Sequence, residues 1–131
     1  AERESLMSFI AETRKTSAIQ TSYSCEGFLG RYEKKVRDYY FFCRSGISTA
    51  SIMCDGAITG CLSVRNSEFL QGSIYTDNFV DVCENRFSIM RDRSWAKKGK
   101  CASCLYWKHC RGGSLHLYKD ASSEIPLCSR M

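Results

Sequence analysis

The chain has 131 residues, 44% of them hydrophobic, which suits one domain with a real core. Its net charge of +5 is compatible with an acidic peptide partner and says little more about binding. No segment approaches the roughly 18 consecutive apolar residues of a membrane span, and a basic-then-apolar secretory signal is missing, so the expectation is a cytoplasmic, reducing compartment without a membrane partner. Nine cysteines are far more than such a core needs. In a reducing compartment clustered cysteines bind metal or do redox chemistry, and an odd number argues against a fully paired disulfide framework.

In chain order, residues 2–14 read as an amphipathic helix with Leu6, Phe9 and Ile10 on its apolar face. Residues 19–24 are short and Thr/Ser-rich, a loop or edge strand leading to Cys25. A short helix is expected within the basic stretch from Gly30 to Asp38, and Tyr39-Tyr40-Phe41-Phe42 reads as a buried strand entering Cys43. Two β-like runs, residues 51–54 and 57–61, flank Asp55-Gly56, a hairpin signal because glycine supplies positive φ without steric cost. The open end of that hairpin would bring the regions of Cys43 and Cys61 together. From Asp77 to Asp92, Phe79, Val82, Cys83, Phe87 and Met90 are spaced for one or two short helices, with Cys83 in a structural role. Beyond Trp95 the chain becomes loop-like. The aromatics Trp95, Tyr106 and Trp107 alternate there with Lys97, Lys98, Lys100, Lys108 and Arg111, a pattern read as a solvated basic face rather than a nucleic-acid surface.

That last stretch holds the densest chemistry: Cys101-x2-Cys104-x5-Cys110, then Gly112 and Gly113, then Cys128. A Cys-x2-Cys step lets one tight turn aim two sulfurs inward, and a thiolate site needs about four. The glycines let backbone N–H groups approach the negatively charged sulfurs, and Lys100, Lys108 and Arg111 suit a centre of net negative charge.

Taken together, Cys43-x12-Gly56-x4-Cys61, a long gap, Cys101-x2-Cys104-x5-Cys110 and Cys128 resemble the SPASM domain, the C-terminal extension of radical S-adenosylmethionine enzymes that modify ribosomally made peptides and proteins. The resemblance covers residues 43–128. It implies a small cysteine-rich α+β domain with a β-hairpin, short helices and a C-terminal cluster-binding loop. It further implies two auxiliary 4Fe-4S clusters: one on Cys101, Cys104, Cys110 and Cys128, the other on Cys43, Cys61, an upstream cysteine for which Cys25 is the candidate, and a fourth ligand where this chain has Ser114. Serine is a poor iron ligand and imidazole an established one, so three states stay open for this set: a three-cysteine cluster with an open iron, closure by His116, or a lost site.

The Cys-x3-Cys-x2-Cys loop that binds S-adenosylmethionine in such enzymes is missing from this chain. The expectation is therefore a fragment without catalytic activity of its own, in which residues 1–24 are the helix and linker at the junction with a catalytic barrel and residues 25–131 form the auxiliary cluster domain. Its partners would be that barrel in the same full-length chain and a peptide or protein substrate. The alternative is a structural or interaction module with zinc on the same four cysteines, since four thiolates also make a closed tetrahedral zinc site and zinc can replace lost iron. His109 and His116 lack a Ser or Cys triad setting, and Cys54 is not expected to be a nucleophile.

Overall fold

The computed structural model describes residues 2–125, 127 and 128. Helix α1 (Glu2–Thr16) carries Glu2 and Glu4 in its first turn and Arg14 and Lys15 in its last, each sign matched to the helix dipole. The expected apolar face is corrected: Leu6 and Phe9 are 48% and 66% exposed, and the buried pair is Met7 and Ile10. Residues 7, 10 and 14 fall on one side of the helix, and Leu29 and Val36 pack on that side with Met7 and Ile10. Arg14 continues the same side, bonding the Thr21 carbonyl and pairing with Asp38. This small core joins residues on both sides of position 24.

A single 3-10 turn at Gly30–Tyr32 leads into α2 (Glu33–Val36). Glu33 is 1% exposed, and its two carboxylate oxygens accept the N–H groups of Leu29 (2.7 Å) and Phe41 (2.8 Å). Arg37, also buried, lies 3.8 Å from the same carboxylate and donates to the Gly27 carbonyl at 3.1 Å. One helical turn thus holds the segments on both its flanks. The arrangement also corrects the strand expected at residues 39–42. The Phe41 N–H goes to Glu33 rather than to a neighbouring strand, Phe41 is buried, and Tyr39, Tyr40 and Phe42 face outward in irregular backbone.

The hairpin forms as expected, with β1 (Ser51–Ile52) antiparallel to β2 (Ala57–Thr59) in the register Ile52 opposite Ile58. Asp55 accepts the Ala57 N–H at 3.0 Å, and Gly56 takes φ +85°, the turn conformation that an L side chain resists. A third strand, β3 (Gly72–Ser73), was not foreseen; it pairs antiparallel with β2. Its position is held by Asp77, whose carboxylate accepts the Ser73 N–H at 2.9 Å.

Residues 77–92 form α3 (Phe79–Asp81), capped where Asn78 Oδ1 accepts the Asp81 N–H, then one wider π turn (Val82–Arg86) and α4 (Ser88–Arg91). They bury Val82, Phe87 and Met90 against Ile58, Leu115 and Tyr118 in the main core, with Cys43, Cys61 and Cys83 packed at its margin. Burial pushes the Cys83 thiol up, in keeping with a packing role. After Trp95 short 3-10 turns lead to α5 (Trp107–Cys110). The fold is a small α+β arrangement, short helices around an antiparallel sheet. Among the described residues no helix is long and apolar enough to cross a membrane.

Candidate metal centre and a second cysteine cavity

Cys101, Cys104, Cys110 and Cys128 line one cavity of about 260 Å³. Lys100, Trp107, Gly112, Ile125 and the ring of Phe28 complete much of its wall. The first two cysteines sit on consecutive turns, because the Cys104 N–H bonds back to the Cys101 carbonyl at 3.3 Å. Cys110 ends α5, where Arg111, Gly112 and Gly113 take φ of +47°, +80° and +75° in succession. Such a left-handed run turns consecutive N–H groups inward, a backbone concavity suited to negative charge. The N–H groups of Phe28, Gly113 and Gly112 act to lower the Cys110 thiol, and the Gly113 N–H itself bonds the Cys110 carbonyl at 2.9 Å.

Electrostatics in this cavity are those of crowded thiols. Burial pushes the Cys101 thiol up, and negative charge on Cys110, Cys104 and Cys128 would push it further. Burial also raises Cys110, while the Phe28 and Gly113 N–H groups oppose that rise. Tyr118 stands behind the glycine pair, donating to the Gly112 carbonyl at 2.7 Å, its phenol raised chiefly by burial. Next to it Arg93 is 5% exposed, donates to the Gly113 carbonyl at 3.2 Å, lies over the rings of Trp95 and Tyr118, and leaves its Nε without a hydrogen bond. A buried cation with an unused donor, bonded to the glycine run that borders the cavity, fits an anionic occupant there.

The remaining expected ligands meet elsewhere. Cys25, Cys43 and Cys61, with Ser114 and His116, line a second cavity of about 320 Å³. The hairpin contributes as the Asp-Gly signal implied. Thr49 Oγ1 (2.8 Å) and the Gly46 N–H (3.4 Å) both bond the carbonyl of Gly60, tying the loop after Cys43 to the end of the hairpin before Cys61. Cys25 is brought in by the Ser114 hydroxyl, which donates to the Cys25 carbonyl across 89 residues of sequence. Cys54 is exposed at the hairpin turn and lines neither cavity.

Among the described residues the cysteines form no disulfide, and no three His, Cys, Asp or Glu side chains are arranged to hold a single metal ion. Each thiol set surrounds a space rather than meeting at a point. Of the basic and aromatic residues near the run, Trp95 is half-buried and bonds the Ile89 carbonyl, and Lys98 bonds the carbonyls of Ala121 and Ser122, so both serve local packing. His109 stacks on Phe28 with ring centroids 5.9 Å apart.

Phe28, Arg93, Tyr118 and Glu33 escaped the sequence reading. Each acts through backbone or ring contacts that no hydrophobic period or cysteine spacing signals. Comparison of the chain with family models, with curated proteins and with solved structures returns no match.

Proposed function

We propose that this chain is an auxiliary 4Fe-4S cluster module serving a radical S-adenosylmethionine enzyme that modifies a ribosomally made peptide or protein. The observation that carries the reading is the single cavity lined by Cys101, Cys104, Cys110 and Cys128. Four thiolates there would hold the cluster with no iron left open, which supplies electron transfer and a fixed surface near the substrate rather than substrate ligation. The chain's own contribution would be burial, the backbone N–H groups that lower the Cys110 thiol, and the positive charge of Arg93 on the Gly113 carbonyl. Zinc on the same residues is the competing reading. Tetrahedral zinc with bonds of about 2.3 Å needs its four sulfurs within about 3.8 Å of one another. All four thiols line one cavity of about 260 Å³, and that room supports the larger inorganic group.

Anaerobic reconstitution with ferrous iron and sulfide tests the reading. The expected result is a broad thiolate-to-iron absorption band and at least about four irons per chain. Cys104→Ala and Cys110→Ala should each remove about four irons and loosen the C-terminal lobe, since ligation and folding are coupled. Stoichiometric zinc under every preparation, with no stable iron, would replace this reading by the zinc module.

A further inference from the structure

Residues 39–42 have the composition of a strand and no strand to pair with. Phe41 turns inward and gives its N–H to Glu33, but Tyr39, Tyr40 and Phe42 are 78%, 61% and 49% exposed. The main-chain N–H and C=O groups of these three have no hydrogen-bond partner among the described residues. The segment lines a groove of about 360 Å³ together with residues 22–25 and Arg44, and there the N–H groups of Ser22 and Ser24 are equally unspent. Cys25, Phe42 and Arg44 line the hairpin-side cavity as well, so the two spaces adjoin. Exposed aromatic rings beside arginine are the side chains that carry most of the energy at protein interfaces.

Charge sets the sign of the partner. Asp38, on the wall of the groove, is paired with Arg14, and the neighbouring Glu33 is buried on Arg37. Lys34 lies over the Tyr40 ring, its nitrogen 5.0 Å from the centroid, and neither Lys34 nor Arg44 meets a carboxylate among the described residues. The free carbonyls then discriminate between anionic partners. Phosphate oxygens cannot bond a C=O, whereas a peptide main chain offers N–H and C=O together and can use both.

We propose that this groove is a docking surface for an acidic peptide segment bound in extended form. Its main chain bonds the free groups of Tyr40 and Phe42, its apolar side chains lie on the exposed rings, and its carboxylates face Lys34 and Arg44. All of the groove except Arg44 precedes Cys43, where the family resemblance begins, and nothing in the inference needs metal in either cavity.

The experiment titrates the full chain, as purified, into a fluorescein-labelled octapeptide of alternating glutamate and valine, with fluorescence anisotropy as the readout. Saturable binding is expected, about tenfold tighter than for a lysine-valine octapeptide. Tyr40→Ser and Arg44→Glu, both at exposed positions, should each weaken it about tenfold. Leu6→Ser, which removes an exposed apolar side chain from α1, should leave it unchanged. A copy of the peptide N-methylated at every amide should not bind, although its charge is the same. Bound peptide should also slow alkylation of Cys25, while Cys54, exposed at the hairpin turn, keeps its rate.

No saturable binding up to about 1 mM peptide, equal affinity for the lysine-valine form, or affinity untouched by both groove variants would overturn the proposal. Tighter binding of an octa-uridine strand, lost in those same variants, would overturn it in favour of a nucleic-acid surface. None of these outcomes alters the iron content expected of the C-terminal cavity, so the two readings fail separately.

Discussion

The two cysteine cavities are built by opposite means. The C-terminal one takes all four thiols from residues 101–128, where short turns and a left-handed run aim sulfur and N–H groups inward. The hairpin-side one gathers single cysteines from three stretches and depends on tertiary clamps: Glu33 between Leu29 and Phe41, Thr49 on Gly60, Ser114 on Cys25. Local construction makes the first set readable from spacing, with Phe28 and Arg3 as its contacts from far along the chain. Assembly from afar makes the second sensitive to changes in residues that never touch it.

Glu33→Ala should separate the two most sharply. It strands buried Arg37 and two N–H groups, and breaking a buried ion pair costs about 3–5 kcal/mol. Urea denaturation gives that figure. Under native conditions Cys25 and Cys43 should then alkylate faster while Cys101 and Cys110 change little. Equal acceleration in both cavities would erase the contrast.

Gly112→Ala strikes the other side. An alanine at φ +80° costs about 1–2 kcal/mol in backbone strain. Its Cβ would also meet the Tyr118 hydroxyl at 2.5 Å, so the C-terminal site should lose iron affinity while the hairpin-side thiols keep their reactivity. Gly56→Ala, at φ +85°, has the same backbone strain but a milder contact, since the Tyr75 ring it meets is 75% exposed and can move away. It should lower the melting temperature by less than Gly112→Ala does; the reverse order would mean that the turn, not the glycine pair, is the tighter constraint.

The smallest effect is expected at Asp77, outside both cavities. The Ser73 N–H, then Arg86 and Thr76, hold its carboxyl below the usual carboxylate range. A carboxyl depressed by folding adds stability above its unfolded pKa of about 3.9 and loses it as pH falls through the lower folded value. The stability gap between wild type and Asp77→Asn should therefore be open at pH 6 and close under strong acid. A gap that widens in acid would contradict the assignment.

Local signals carried a good part of this molecule. Residues 2–14 announced α1, Asp55-Gly56 announced the hairpin, and Phe79 to Met90 announced α3 and α4, because period and turn chemistry act over a few residues. The family resemblance implied two sets that together name seven cysteines, and those seven line the two cavities. What failed depended on distant partners. Tyr39–Phe42 has the composition of a strand, but one carboxylate took the N–H that a strand would need. Leu6 and Phe9 looked like the inner face of α1 until Leu29 and Val36 approached from the side of Met7. Phe28 and Arg93 carry no motif at all, since their contribution lies in where the fold delivers one N–H and one guanidinium.

The bond from Ser114 to the Cys25 carbonyl has a consequence in time as well as space. Ribosomes make chain from the N-terminus at about 5–20 residues per second, so the 89 residues between those partners take roughly 4–18 s to emerge. Throughout that interval Cys25, Cys43 and Cys61 have no opposite wall, and the C-terminal cavity still lacks Cys128. Arg3, which donates to the Cys128 carbonyl, waits for a partner 125 residues further on. Whatever fills either cavity can be enclosed only after Ser114 or Cys128 has been made, and until then the earlier thiols are open to surrounding metals and oxidants.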